Sequence, residues 1–424
     1  MPPAFSSLRN PFRSLKVFNY RLWAAGAFVS NVGTWMQRTA QDWLVLTQLT
    51  HRNATAVGVV MALQFAPQLL MLPFSGLAAD RLDRRKLVFA TQAALGALAL
   101  GLGLLTVSGL VQLWHVYVFA FLFGCVSAFD SPARQSFVSE LVGEADLPNA
   151  VGLNSTSFNA ARLIGPAVGG VLIAAVGTGW AFLLNAASFV AVLGSLALLR
   201  IGELHRSAKP SRERGGLIEG FRYVGQRPDL KVILLMVFLV GTFGLNFPIF
   251  LSTMSVSVFH QGPDAYGLLT SIMAVGSVTG ALLTATRASS GIVHVITGAA
   301  AFGVGFTVAA FMPSYALFAV PLVLIGVSTQ TFTTSANSAL QLATEPAMRG
   351  RVVAIFLAIA LGTTPLGAPL VGWVADRFGP RWALGVGAAA GIAATFVGLY
   401  YLVVYCHLRL RIAGGRLRLD MKGG

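Results

Sequence analysis

The residues able to do chemistry are few, and most lie inside apolar runs. Ser30, Asn31, Thr34, Gln37, Arg38, Gln41 and Asp42 recur at helical spacing and form one polar stripe. Hydrocarbon does not tolerate such a stripe, so it should face a cavity or another helix. Asp42 is the only one of the 15 acidic residues that falls well within a run; the others lie in loops, tails or run ends. With Arg38 one turn away, Asp42 can take up and release a proton as its access to water changes. Equally, the two can form a permanent ion pair that lets the helix insert. A second arginine, Arg162, sits about 15 Å along another run at 1.5 Å per residue. It needs helix carbonyls, Asp130 or an anionic ligand group as its partner. Asn31, Gln37, Asn154, Asn159, Asn246 and Gln330 offer amides, and Trp35 and Phe158 offer aromatic walls. Each of these also reads as inter-helix glue. Together they suit an amphipathic small molecule.

Other chemistries lack their residues. The 6 histidines are scattered, with no metal-ligand spacing to Cys, Asp or Glu. No phosphate-cradling Gly-x4-Gly-Lys loop is present, and no nucleophile is paired with a base. The chain is therefore expected to be no enzyme, to need no cofactor or metal, and to draw no energy from a nucleotide bound on it.

The elements that must hold these residues are membrane helices. The 424 residues are 55% hydrophobic and only 11% charged, with mean hydropathy +0.73. Soluble domains carry about 25% charged residues. Apolar runs of about 20 residues read as spans, and the sequence is expected to hold twelve: 22–47, 56–79, 87–107, 114–129, 152–176, 180–199, 232–258, 267–286, 292–312, 315–334, 352–375 and 382–407. No small-residue cleavage site follows a short apolar core, so the first run is expected to be kept. The net charge of +15 orients the chain. Of its Lys and Arg, Arg52, Arg377 and Arg381 fall in outer loops and Arg38 and Arg162 in spans. The rest lie on the inner side, facing anionic lipid rather than nucleic acid. Both termini are then cytoplasmic. Residues 130–149 form a cytoplasmic segment. Residues 202–230 form a charged linker between an N-terminal bundle, 1–201, and a C-terminal bundle, 231–424. Within the linker, Leu217, Ile218, Phe221 and Val224 share one helical face, which suits either a helix on the membrane surface or a solvated segment. Two cysteines exclude a secreted disulfide framework.

The halves repeat. At an offset of 202, Gly165 meets Gly367, Gly170 meets Gly372, Gly177 meets Gly379 and Trp180 meets Trp382. Gly33 with Gly244 and Gly58 with Gly267 match more loosely. Parallel six-span repeats predict a substrate site between the halves near mid-membrane, reached by rocking one half on the other.

Gly76-Leu-Ala-Ala-Asp80-Arg81-Leu-Asp83-Arg84-Arg85-Lys86 resembles the loop 2–3 signature of the major facilitator superfamily, with Asp83 where that signature usually has Gly. Gly165-Pro166-Ala-Val-Gly169-Gly170 resembles the span 5 motif of its antiporters. Gly33-Thr-Trp35-Met-Gln37-Arg38-Thr-Ala-Gln-Asp42-Trp43, Pro132-Ala133-Arg134-Gln135 and Ala161-Arg162-Leu-Ile-Gly165-Pro166 narrow the resemblance to a branch. That branch holds enterobactin-type siderophore exporters and macrolide or multidrug efflux proteins, where Asp at position 83 is common. The resemblance implies an all-α protein of two six-helix bundles in the cytoplasmic membrane, acting as a monomer. It implies proton-driven export of a small molecule. An importer or facilitator of the same fold, or a non-transporting sensor or assembly factor, are the alternatives. Gly76, Asp80, Arg81, Arg84, Arg85 and Arg134 are expected to form an inner gate. In it Asp80 pairs with Arg134 and meets the span 11 N-terminus near Val352, whose dipole favours an anion.

Overall fold

Proline and glycine set many of the helix boundaries. The computed structural model of the chain describes residues 12–205, 217–285, 291–405, 409–413 and 416–420. Its helices are α1 Phe18–Trp43, α2 Ala54–Leu70, α3 Leu72–Arg81, α4 Arg84–Val107, α5 Leu113–Leu141, α6 Leu147–Val176, α7 Thr178–Ala197, α8 Leu217–Gln226, α9 Pro228–Leu239, α10 Phe247–Thr253, α11 Pro263–Ala285, α12 Ile292–Phe311, α13 Tyr315–Ala343, α14 Arg349–Gly362, α15 Thr364–Phe378 and α16 Pro380–Val404. Proline stands at the first or second position of α3, α6, α9, α10, α15 and α16, where its missing N–H has no helical partner to lose. Gly177 and Gly379 turn α6 into α7 and α15 into α16 at φ +91° and +102°. A side chain there would strain the backbone, so the repeat-matched glycines have one physical cause.

Ten helical stretches among the described residues are long and apolar enough to cross a membrane. The first two expected runs are not among them. In α1 the polar stripe lowers the hydropathy, and the second run breaks at Met71 into α2 and α3. The stretch Pro228–Val258 includes two π-helical turns, Val240–Gly244 and Met254–Val258, on either side of α10. One expected boundary is corrected. The cytoplasmic segment expected from residue 130 begins as helix, because α5 runs on through Pro132 to Leu141. Proline removes one helical hydrogen bond but need not end a helix whose other bonds continue. Outside the spans, Arg409–Ala413 and Arg416–Asp420 pair as an antiparallel ladder (β1, β2), which sequence patterning did not anticipate. Residues 206–216 of the linker lie outside the described residues. The segment after them, open to either reading, is helical (α8), with Ile218 and Phe221 exposed and Val224 buried.

The chain divides into two compact units. Unit 1 comprises 1–51, 66–212 and 262–271; unit 2 comprises 52–65, 213–261 and 272–424. Each takes in the start of a helix whose remainder belongs to the other. Within unit 1, a Cβ on Gly170 would lie 2.5 Å from the Pro263 carbonyl oxygen, and one on Gly267 would press closer still on that of Pro166. Within unit 2 the matched glycines repeat the approach: Gly372 against the Ala54 oxygen at 2.5 Å, and Gly58 hard against that of Ala368. Small residues permit this backbone approach. Gly33 and Gly244 are not equivalent in this way. The first backs onto Asn185 of α7, the second onto the Phe302 ring of α12. Tryptophans 114, 180, 373 and 382 are each about half exposed or more and stand at or near helix ends.

Unit 2 holds the start of α2 with a carboxylate. Asp376 accepts from the backbone N–H of Ala54 (2.6 Å) and Thr55 (2.8 Å) and from the Thr55 hydroxyl (2.5 Å). Asn53 accepts from Ala56 N–H at 2.9 Å. Three otherwise orphaned N–H groups are thus satisfied, with an anion at the positive end of the helix. Losing a cap typically costs about 0.5–2 kcal/mol, and exposure of Asp376 puts it in the lower part of that range. Asp376→Ala is expected to lower the melting temperature in detergent by a few degrees. Asp376→Asn, which keeps acceptor capacity, should recover part of the loss. Equal melting of all three proteins would remove the cap from the account of stability.

Candidate substrate and coupling site

The stripe on α1 is buried in unit 1 by helices that glycine lets approach. A Cβ on Gly33 would run into Asn185 Oδ1, so the absence of a side chain there brings α7 close. Asn185 Nδ2 then donates to Gln37 Oε1 at 2.6 Å, with both residues buried. Lower on the stripe, Arg134 Nη2 donates to Asn31 Oδ1 at 3.0 Å. The same guanidinium lies 3.7 Å from Asp130, whose Oδ1 accepts from Thr91 Oγ1 (2.7 Å) and Gln92 Nε2 (2.8 Å). Asn31 and Gln37 are therefore occupied by protein partners, and Asp130 is engaged here rather than with Arg162.

Trp35 organises a second cluster. The Arg38 guanidinium carbon lies 4.9 Å from its ring centroid and that of Arg162 5.7 Å, while Phe158 meets it edge-on at 5.8 Å. A Cβ on Gly165 would come within 2.5 Å of Trp35 Cβ, so α6 can seat against α1 at this level only with glycine there. Phe123 provides a further ring 6.0 Å from Arg38. Arg38 Nε is enclosed and has no hydrogen-bond partner. Among the described residues, neither arginine is in an ion pair. An arginine at mid-membrane costs about 2.5–3.5 kcal/mol on insertion scales, and a cation–π contact returns about 0.5–2 kcal/mol. The rings offset only part of the cost. Asn154 and Asn159 lie on α6, and Asn159 Nδ2 donates to its own helix at Ser155 O, 2.9 Å away.

Asp42 and Arg38 stand beyond ion-pair distance, though each feels the other's charge. Asp42 Oδ2 accepts from the Tyr266 hydroxyl at 2.9 Å, and Tyr266 stacks on Trp43 at 6.4 Å between centroids. The carboxylate is thus tied to the first turn of α11, inside unit 1.

Of the expected gate side chains, Arg81, Arg84, Arg85 and Arg134 are described. The Asp80 side chain lies outside the described residues. Arg134 is held by Asp130 and Asn31, as above. Arg84 pairs with Glu140 at 3.0 Å. Arg85 donates to the Leu196 carbonyl at 3.1 and 2.9 Å, at the end of α7. Arg81 is exposed, and a Cβ on Gly76 would meet nothing within 4 Å. Asp83, the departure from the signature, accepts from Lys86 N–H at 3.0 Å and caps α4.

Unit 2 supplies an amide-lined cavity of about 270 Å³. Gln330, Thr333, Thr334 and Asn337 of α13 face it, with Phe332, Phe356 and Leu245 as apolar walls. Gln330 Nε2 donates to Thr334 Oγ1 at 3.0 Å. Among the described residues, no charged side chain lines it. Asn246 is fully buried and donates to Thr242 O at 2.8 Å, while its Oδ1 has no partner. It sits where the first π turn gives way to α10, holding a break in the helix rather than lining this cavity.

A family model described as a transmembrane secretion effector (MFS_3) matches residues 6–408. The chain belongs to this family of the major facilitator superfamily. Its relatives include the multidrug efflux pump Tap of Mycolicibacterium fortuitum, 29% identical over 88% of this chain and 90% of the relative. The staphyloferrin A transporter of Staphylococcus aureus is 26% identical over 84% and 89%, and the enterobactin exporter EntS of Shigella flexneri 25% over 86% and 87%. Among solved structures, a POT family transporter in complex with 5-aminolevulinic acid superposes with TM-score 0.73 at 12% identity, covering 91% of this chain and 95% of that one. The nucleoside transporter NupG gives 0.69 at 14%, over 90% and 98%. These likenesses show the fold. This major facilitator protein is a multi-pass membrane transporter, not an enzyme. Four of its site residues escaped sequence reading. Asn185 was detectable as the one amide in an apolar run, and Thr91-Gln92 as a polar pair in another. Tyr266 carried no signal, since a tyrosine at the start of a span reads as an interfacial anchor.

Proposed function

We propose that the protein exports a small amphipathic molecule, drug-like or siderophore-like, across the cytoplasmic membrane by proton antiport and alternating access. The observation that carries this reading is the set of relatives aligned over more than four fifths of this chain, named as a multidrug efflux pump, a staphyloferrin A transporter and an enterobactin exporter. The family alone does not fix the direction of transport. In this reading α1 and the α2–α3 pair also cross the membrane, making twelve spans with both termini cytoplasmic, and the monomer is the working unit. Asp42 is the proton-binding group, with Tyr266 and Arg38 setting its surroundings. Trp35, Phe158, Arg162 and Asn154 offer one binding surface, and Gln330 with its cavity another. Arg134 and the Gly76–Arg85 segment control the inner face. The presence of an intramembrane carboxylate with a hydroxyl partner supports coupling by protons over coupling by a bound nucleotide.

The test is a pump-deficient bacterial strain expressing the protein, screened against a panel of drugs and siderophores. Everted vesicles of the same strain then report proton movement. Several-fold resistance to at least one compound is expected, together with release of protons from the acidified vesicle interior when that compound is added. Inward accumulation of the compound by intact cells would mean import. No flux of any panel member in either direction would leave the sensor reading standing.

A further inference from the structure

Two arginines share one indole inside unit 1, and among the described residues neither is in an ion pair. Arg38 and Arg162 lie 4.9 and 5.7 Å from the Trp35 ring centroid. The nearest acid along the stripe, Asp42, attracts Arg38 through space but accepts its hydrogen bond from Tyr266 instead. The next acid of the same unit, Asp130, is engaged by Thr91, Gln92 and Arg134. One donor, Arg38 Nε, is enclosed with nothing to receive its hydrogen. Beside this cationic pair, Phe158 lies edge-on to Trp35 and is itself about half exposed, at 48%. An intramembrane charge marks a functional position, and these two lack a hydrogen-bonded counter-ion among the described residues. A planar guanidinium is matched by a planar oxygen anion, which it can bind through two parallel hydrogen bonds. An open aromatic edge is matched by a second ring.

We propose that the Trp35–Arg38–Arg162 cluster is an anion subsite that selects transported molecules bearing a carboxylate or phenolate on an aromatic ring. The oxygen anion supplies the acceptor that Arg38 Nε lacks and neutralises the pair. The ring lies against Trp35 and Phe158. By contrast, the cavity of unit 2 has only amides, hydroxyls and apolar walls and sets no charge preference. An anionic lipid headgroup shares the charge but not the ring, so the aromatic walls favour a solute. This subsite rests on the export reading for its purpose, but its chemistry is measured at equilibrium without a gradient. A lack of flux therefore leaves the binding result interpretable, and a lack of charge preference leaves the export result interpretable.

The experiment is equilibrium binding to the full-length protein in nanodiscs of phosphatidylcholine. The probes are salicylate, an aromatic carboxylate, and salicylamide, its neutral isostere. Salicylate is expected to bind at least about tenfold more tightly, a difference of about 1.4 kcal/mol. Arg38→Gln and Arg162→Gln should each remove most of that preference, bringing the salicylate-to-salicylamide affinity ratio close to one. Arg162→Lys, which keeps charge without the planar fork, should retain part of the preference. Trp35→Leu should weaken both probes. Equal affinity of the parent protein for the two probes, or no binding of salicylate, overturns the proposal without reliance on any variant. A preference that survives both glutamine substitutions also overturns it. In a second arm, phosphatidylglycerol is added to the nanodiscs. If it displaces salicylate from the parent protein and not from Arg162→Gln, the subsite belongs to lipid and the solute assignment falls.

Discussion

Asp42→Asn is expected to abolish uphill, gradient-driven export while leaving substrate binding and downhill exchange intact. Asparagine keeps the shape of the side chain and can still accept from the Tyr266 hydroxyl, which lies 2.9 Å from Asp42 Oδ2. What it loses is the proton-binding oxygen. The loss should therefore appear in coupling and not in folding, so the variant should reach the membrane in normal amount. Tyr266→Phe provides the contrast. It leaves the carboxylate with an unmet acceptor in a buried place, and such a loss costs about 1–3 kcal/mol. That variant should lose stability while retaining a protonatable group, and hence some coupled export. The measurement is substrate-induced proton movement in vesicles, scored beside substrate exchange with the gradient collapsed. Proton movement that persists unchanged in Asp42→Asn would reject the role.

The largest structural effect is expected at Gly367. A Cβ there would overlap the carbonyl oxygen of Thr242, a backbone atom that cannot rotate away. Either α15 or the π turn at Val240–Gly244 would have to move. Overpacking of a close contact typically costs about 1–3 kcal/mol and occasionally more. Gly367→Ala should yield protein that melts many degrees below the parent or fails to purify as a single species. Its counterpart Gly165→Ala meets the Trp35 Cβ at 2.5 Å and the Val32 oxygen at 2.9 Å, so a smaller loss is expected. Gly385→Ala, with nothing within 4 Å of the new carbon, serves as the control and should be neutral or slightly stabilising. Parent-like melting of Gly367→Ala would mean that this helix contact is looser than the geometry states.

The parts legible in the sequence were those written in a periodic or local code. Hydropathy marked the spans, and the repeat-matched pair Gly177 and Gly379 marked two helix corners. The polar stripe from Ser30 to Asp42 announced a buried face of α1, which is where the structure puts it. Partners were another matter. Asp42 and Arg38 are one turn apart, and proximity along a helix favoured an ion pair between them. The carboxylate instead met a hydroxyl 224 residues away, which no local pattern encodes. Arg134 gained partners that sequence reading had not named, while the Asp80 side chain expected to meet it lies outside the described residues. Among the described residues its partners are Asp130, one turn back on its own helix, and Asn31. Asp376 was passed over as an ordinary charge at a span end, because only the arrival of the α2 N-terminus makes it a cap. The low hydropathy of α1 and the division of the second run at Met71 show the converse limit. Composition rules count apolar residues, whereas a helix can carry a polar face once protein covers it.

The four exposed tryptophans carry an optical consequence. Trp114, Trp180, Trp373 and Trp382 stand at or near helix ends; in the proposed topology those ends face outward, where an indole settles at the headgroup level. Of the remaining three, Trp23 and Trp43 are buried and Trp35 is half-buried within unit 1. On that topology the intrinsic emission of the protein divides into a lipid-facing population confined to one leaflet and a shielded population beside Arg38, Arg134, Arg162 and Tyr266. Brominated acyl chains would darken the first without touching the second. The residual light would then come from the indoles around the proposed binding surface, so the unlabelled protein carries its own spectroscopic window onto that surface.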